Sequence, residues 1–272
     1  MPAPDSLTYC LAEVRRHDRD RYLTALFAPA VARPALWPLY AFNLEVAKTR
    51  EAVSEPILGR IRLEWWREAL DGIYAGTPRQ HPVVLALNEA VARYDLSRAR
   101  LERLIDAREV DLDDAPPRDL AALTAYAEGT AGTLQELVME ALGRRDDPAL
   151  DAARAIGSAW ALVGLIRAVA FHAQAQRQYL PEGLMTELGA TLTPSAELSA
   201  VVERIAAEAA RRLAAGRAVR GLPQAVKRGL LVATLADADL ADIRRAGNDP
   251  FALPTSPGRP WRLALAATLG RY

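Results

Sequence analysis

Leu39-Tyr40-Ala41-Phe42-Asn43-Leu44-Glu45-Val46-Ala47-Lys48-Thr49-Arg50-Glu51 is the stretch on which the reading of this chain turns. Its apolar residues keep helical spacing. Pro34 fits the first turn of a helix running through Tyr40 to about Thr49, with Pro38 kinking it or shifting its start. Charge gathers at the far end. Lys48 lies three residues from both Glu45 and Glu51, within reach of an ion pair with either.

Outward from this stretch the periodicity is helical nearly throughout, with no convincing alternating strand, which predicts an all-α chain. Ser6 is placed to cap a first helix bearing Leu7, Cys10, Leu11 and Val14, and a short second helix covers Asp20–Phe27. Ser54 reads as the cap of another helix, with Pro56 in its first turn and Gly76 closing it. Further helices are expected over Pro82–Tyr94, Ser97–Leu112, Asp119–Leu142, Pro148–Gln174, Pro194–Arg217, Pro223–Ala246 and Trp261–Leu269. Breakers such as Thr77-Pro78, Pro116-Pro117, Gly143 and Gly189 sit between these segments. No linker long enough to split the chain is visible, so residues 1–272 read as a single domain with a core of about 18–251. The Pro-rich stretch Asn248–Pro260 is the expected irregular segment.

Three segments together carry a family resemblance. The opening stretch is one, aligning without a gap to LYAFCRxxDDxxDE. The second is Leu123-Thr124-Ala125-Tyr126-Ala127-Glu128-Gly129-Thr130-Ala131-Gly132, similar to LxxYCxxVAGTVG. The third runs from Gly157 to Pro181, where Ile166-Arg167-Ala168-Val169 and Arg177-Gln178-Tyr179-Leu180-Pro181 resemble LRDVxEDxxxGRxYLP. Leu63-Glu64-Trp65-Trp66-Arg67, His81-Pro82-Val83 and Leu104-Ile105-Asp106 add support. In order and spacing, from about Arg21 to Phe251, these segments resemble the squalene/phytoene synthase family. The resemblance implies an isoprenoid-synthase-type helical bundle around a central cavity, across which two helices present acidic residues to Mg²⁺.

The chemistry explains the aspartates. Carboxylates at i and i+4 share one helix face. Such pairs on two helices hold hard Mg²⁺ ions, which neutralise a leaving diphosphate. By the resemblance, the first motif's three aspartates fall at Ala47, Lys48 and Glu51, and the second motif's two at Ala168 and His172. Lys48 puts a cation where a metal would sit, and imidazole suits Mg²⁺ poorly. The expectation is therefore a chain with no catalytic residue, no metal and no cofactor. The alternative is an active Mg²⁺-dependent prenyltransferase condensing two prenyl diphosphates, with Glu45, Glu51, Asp106 or Asp111 as substitute ligands.

Arg167, Arg177, Tyr179 and Tyr126 match positions that the family uses around the diphosphate or to shape its pocket, and Tyr40 and Glu45 complete the candidate set. Two readings stay open. Either an anion or ligand pocket is retained, or Arg167 pairs with Glu45 or Glu51 inside the core; structural pairing is favoured. If the alignment is right, Ala47, Lys48, Glu51, Ala168 and His172 converge on one cavity, which a Glu45–Lys48–Arg50–Glu51 network would close.

A branch of the family with degenerate aspartate motifs includes an assembly factor for respiratory complex I, the NADH:quinone oxidoreductase. Residues Tyr40–Glu45, Ser54–Gly76 and Arg177–Pro181 resemble that branch. It implies complex I subunits or other assembly factors as partners, work at the inner membrane, and a pocket open to an isoprenoid or lipid tail.

Composition narrows the classes. Lys plus Arg (34) cancels Asp plus Glu (34), so no basic field recruits nucleic acid. Cys10 stands alone, which excludes an internal disulfide and a Cys-based zinc site. His17, His81 and His172 lack metal spacing. No signal-peptide pattern is visible. The apolar stretch Ala155–Phe171 reads as a buried core helix because of Arg167 and its length. A cytoplasmic protein, peripheral at the inner membrane, is the expectation. Asp106, Glu109, Asp111, Asp113 and Asp114 read as a solvated acidic face. Trp65-Trp66 is expected to put one indole in the core and the other at an exposed surface.

Overall fold

Helix starts follow capping residues. Asp5, Asp18, Ser97, Asp119, Asp146 and Ser195 each accept a backbone N–H from the first turn that follows them, satisfying a donor that the turn itself leaves unpaired. Pro34, Pro56, Pro82, Pro148 and Pro260 occupy first turns, where a missing N–H costs nothing. The first helix is capped by Asp5 and not by Ser6. The Asp5 carboxylate takes the Thr8 N–H at 2.7 Å, and Ser6 is already helical.

The computed structural model describes residues 5–53, 55–113, 115–175, 177–254 and 259–272. Its helices run in the order α1 (Ser6–His17), α2 (Arg19–Phe27), α3 (Arg33–Ala47), α4 (Pro56–Tyr74) and α5 (Pro82–Tyr94). Then come α6 (Arg98–Asp106), α7 (Leu120–Ala127), α8 (Thr133–Ala141), α9 (Asp147–Arg167) and α10 (Val169–Gln174). The last are α11 (Glu182–Leu188), α12 (Ala196–Ala218), α13 (Gln224–Gly229), α14 (Val232–Arg245) and α15 (Pro260–Leu269). Among the described residues there is no strand. The expected cap Ser54 lies outside them, as does Asp114.

Several expected helices are broken. Ser97–Leu112 stops at Asp106 and resumes as a 3₁₀ turn, Glu109–Leu112. Pro148–Gln174 breaks at Ala168, and Pro223–Ala246 breaks between α13 and α14. The seven-residue α11 is too short for periodicity to register. Within Asn248–Pro260, residues 248–254 are turns or irregular, and 255–258 lie outside the described set.

Between α7 and α8 the helix continues but widens into a π turn, Glu128–Gly132. Thr130 Oγ1 donates back to the Tyr126 carbonyl at 2.7 Å. The turn pushes the Ala131 carbonyl against α9, and Gly157 makes the room. A Cβ at Gly157 would fall on that carbonyl oxygen and 2.9 Å from Gln135 Cβ.

α9 runs through the middle, packing on α12, the π turn, α8, α14 and α7. Ile156, Leu162, Val163 and Ile166 are fully buried, each contributing about 1.5–3 kcal/mol. By length and composition α9 could cross a membrane, so its length is not the obstacle expected. However, 61% of its most apolar window is buried against other helices, as in a core helix. Trp66 is the core indole. Its neighbour Trp65 is half-buried, covered by the Arg79 guanidinium at 5.2 Å and the His81 ring at 5.5 Å, so it is not the exposed surface expected.

Candidate functional site

Leu112 decides where Asp111 points. The 3₁₀ turn packs on α4, and Leu112 fills the space that the bare Gly59 leaves. Its neighbour Asp111 is 7% exposed. Tyr179 donates to Asp111 Oδ1 at 3.1 Å, Tyr126 donates to Oδ2 at 3.1 Å, and Arg108 Nη1 donates to Oδ2 at 3.2 Å. Arg108 also donates to the Tyr126 hydroxyl at 2.6 Å and lies 5.5 Å from that ring's centre. Burial first, and then the Asp111 charge, push the Tyr179 hydroxyl up to about 12. Burial pushes Tyr126 well above the usual phenol range. Both therefore stay protonated donors at neutral pH. The His172 ring lies 4.6 Å from that of Tyr179. Burial, with Arg177 adding, holds its imidazole below the ordinary range, so it stays neutral.

Asp111, Tyr126 and Tyr179 of this cluster line a cavity of about 520 Å³. Ala107, Val110, Pro116, Pro117, Ala122 and Ala125 supply apolar wall, while Asp113, Arg118 and Arg177 supply charge. Chemically it suits an apolar body with an anionic end held by guanidinium.

The other candidate residues lie elsewhere. None of Ala47, Lys48, Glu51, Ala168 and His172 lines that cavity. α3 stops at Ala47, Lys48 caps it, and Glu51 is exposed in the turn beyond. α9 stops at Arg167, with Ala168 as its cap. His172 touches the cluster through the Tyr179 ring. Tyr40 is buried in the core among α3's inward residues, and burial raises its hydroxyl.

The expected pairings also change. Glu45 turns to α4 and accepts from Arg62 at 2.6 Å. Among the described residues Lys48 makes no ion pair with Glu45 or Glu51, so the Lys48 links of the expected Glu45–Lys48–Arg50–Glu51 network are absent there. Arg167 pairs with Asp239 of α14 at 3.3 Å and donates to the Pro254 carbonyl at 3.0 Å, because the C-terminal end of α9 faces α14 and not α3. Structural pairing holds for Arg167, with a different partner.

Of the described members of the acidic run, Asp106, Glu109 and Asp113 are exposed as expected and Asp111 alone is buried. Asp106 accepts from Arg67 at 2.8 Å, Glu109 also takes Arg67, Asp113 meets Arg60 at 3.5 Å, and Asp111 is buried. Arginines of α4 pair with the exposed members, and Arg108 pairs with Asp111. Asp111 is the site residue that sequence reasoning undervalued. The need for it shows only in the fold, where two buried tyrosines on separate elements require an acceptor.

At the five positions that the resemblance assigns to Mg²⁺ stand two methyl groups, an ammonium, an imidazole and one exposed carboxylate. This donor set does not fit the ion. Among the described residues, no three His, Cys, Asp or Glu side chains gather as a ligand set.

The sequence pattern of the squalene/phytoene synthase family matches residues 14–267. A rat protein, "NADH dehydrogenase (ubiquinone) complex I, assembly factor 6", is 37% identical over 186 residues, 68% of this chain and 56% of that protein. A presqualene diphosphate synthase from Rhodopseudomonas palustris is 26% identical over 174 residues, 63% of this chain and 61% of that protein. The chain thus spans little more than half the length of the curated relatives it matches. Among solved structures, a dehydrosqualene synthase with bound ligand superposes with a TM-score of 0.85 at 18% identity, covering 97% of this chain and 95% of that one.

Proposed function

The chain belongs to the squalene/phytoene synthase family, and from that premise we propose that it serves the assembly of respiratory complex I and does not condense prenyl diphosphates. The observation that carries this reading is the donor set. Four of the five metal positions hold groups that ligate Mg²⁺ poorly, so no pair of metal ions there would offset the charge of a leaving diphosphate. Of the four substitutes, Glu51 is exposed in the turn beyond α3 and the other three are engaged elsewhere. Glu45 holds Arg62, Asp106 holds Arg67, and Asp111 is saturated by two tyrosines and Arg108. The similarity to complex I assembly factor 6 supports the biological role. Partners are then complex I subunits or other assembly factors, met at the cytoplasmic face of the inner membrane. The Tyr126–Tyr179 cavity offers an isoprenoid or lipid tail a place.

Deleting the gene and measuring complex I abundance on native gels tests the role. Assembled complex I should fall and return with the wild-type gene; unchanged abundance and NADH oxidation refute it. Incubating the purified chain with farnesyl or geranylgeranyl diphosphate and Mg²⁺ tests the other half. Diphosphate release above background would restore the prenyltransferase reading.

A further inference from the structure

α15 shows solvent an apolar stripe that none of the described residues covers. Its inner residues Leu263, Ala266 and Ala267 pack on Leu231 and Leu235. Trp261, Leu265 and Leu269, spaced four apart and therefore on one helix face, are 64%, 54% and 57% exposed. Arg217, Arg220, Arg262 and Arg271 join them around one wide-open depression of about 700 Å³. Asp237 is the one acidic side chain lining it, and Arg217 holds that carboxylate at 2.6 Å. Among the described residues Arg220, Arg262 and Arg271 have no carboxylate partner. Arg262 lies over the Trp261 ring, 5.1 Å from its centre.

We propose that α15 docks the protein on an anionic lipid bilayer, with Trp261, Leu265 and Leu269 entering the interface and the arginines meeting headgroup phosphates. Each part has its physical reason. An indole with its ring buried and its N–H wet is best satisfied at the headgroup level. Arginine stems lie along apolar surface while their guanidinium groups reach outward. A short helix with leucine on one side and unneutralised arginine around it lies in the interface plane without spanning it. Charge decides between this patch and the other exposed apolar one. Ile57, Leu58, Ile61 and Val110 are also exposed, but the arginines beside them, Arg60 and Arg62, are neutralised by Asp113 and Glu45.

The proposal deepens the membrane part of the functional reading and fails separately from it. Vesicle binding reads the surface, and complex I abundance reads the role. The full chain is sedimented with vesicles of phosphatidylcholine alone and of phosphatidylcholine mixed with phosphatidylglycerol, at low and high salt. Binding should appear with the mixed vesicles only and weaken as salt rises. Lipids brominated on their acyl chains should quench Trp261, the one tryptophan among the exposed large apolar residues. Arg220→Ala and Arg262→Ala should each weaken binding roughly fivefold. Trp261→Ser with Leu265→Ser should abolish it, with helical content unchanged by circular dichroism, while Ile57→Ser with Ile61→Ser should bind like the wild type. Equal binding to both vesicle types, or α15 variants binding like the wild type, overturns the proposal. So does failure to bind vesicles alongside Arg220- and Arg262-dependent binding of an acidic peptide, which would make the occupant a protein.

Discussion

Tyr179 and Asp111, 68 residues apart in sequence, meet at 3.1 Å, and that bond ties the segment after α10 to the 3₁₀ turn ahead of α7. Because Arg108 leans on the same carboxylate, the two ends of the bond are not equivalent. Tyr179→Phe removes one neutral donor and should cost about 1 kcal/mol. Asp111→Ala strands a guanidinium and should cost about 3–5 kcal/mol. Urea unfolding of both variants checks the order; equal losses would mean that Arg108 finds water instead.

Two glycines of α9 should respond in opposite directions. Gly157→Ala drives a methyl into the Ala131 carbonyl of the π turn and should destabilise by about 1–3 kcal/mol. At Gly164 a Cβ meets nothing within 4 Å, so Gly164→Ala should stabilise by about 0.5–1 kcal/mol through helix propensity. Denaturant midpoints measured side by side decide it.

Stability should fall on the acid side of neutrality through the buried imidazoles. His81 and His172 are both held below the ordinary histidine range, mainly by burial. Below about pH 6.5 the unfolded chain therefore binds more protons than the folded one. The contribution is complete above that pH and is lost as pH drops through the lowered folded values. His172→Phe should make the acid limb of Tm against pH shallower than in the wild type. Parallel curves would show that His172 titrates alike in both states.

Magnesium should leave the protein unmoved. A ligand that binds only the folded state raises Tm by mass action, and the donors at the five motif positions are wrong for the ion. Thermal unfolding with and without Mg²⁺ should coincide. A concentration-dependent rise would reveal a site built from other carboxylates.

Much of the helical framework was readable from punctuation. Pro82–Tyr94 was expected and found residue for residue, because a proline opens it and a left-handed Asp95 follows it. The break at Ala168 and the π turn were not readable. Both depend on what α9 packs against, and local periodicity does not register that. The site was legible as separate pieces. Tyr126, Arg177 and Tyr179 could be singled out by resemblance, whereas Asp111 looked like one member of a solvated run. Its burial comes from Leu112 docking at Gly59, a contact between segments more than fifty residues apart. The partner of Arg167 was misjudged for the same reason, since Asp239 lies 72 residues away.

The early end of α3 has a consequence for reversibility. Writing aspartates back at positions 47 and 51 would not rebuild a ligand pair, because those residues no longer share a helix face. One closes the helix and the other lies in the turn beyond it. A return to metal chemistry would need the backbone from Lys48 to Ala52 to rewind by a further turn before any carboxylate could help. Repairing side chains one at a time therefore meets no intermediate with a working ligand pair.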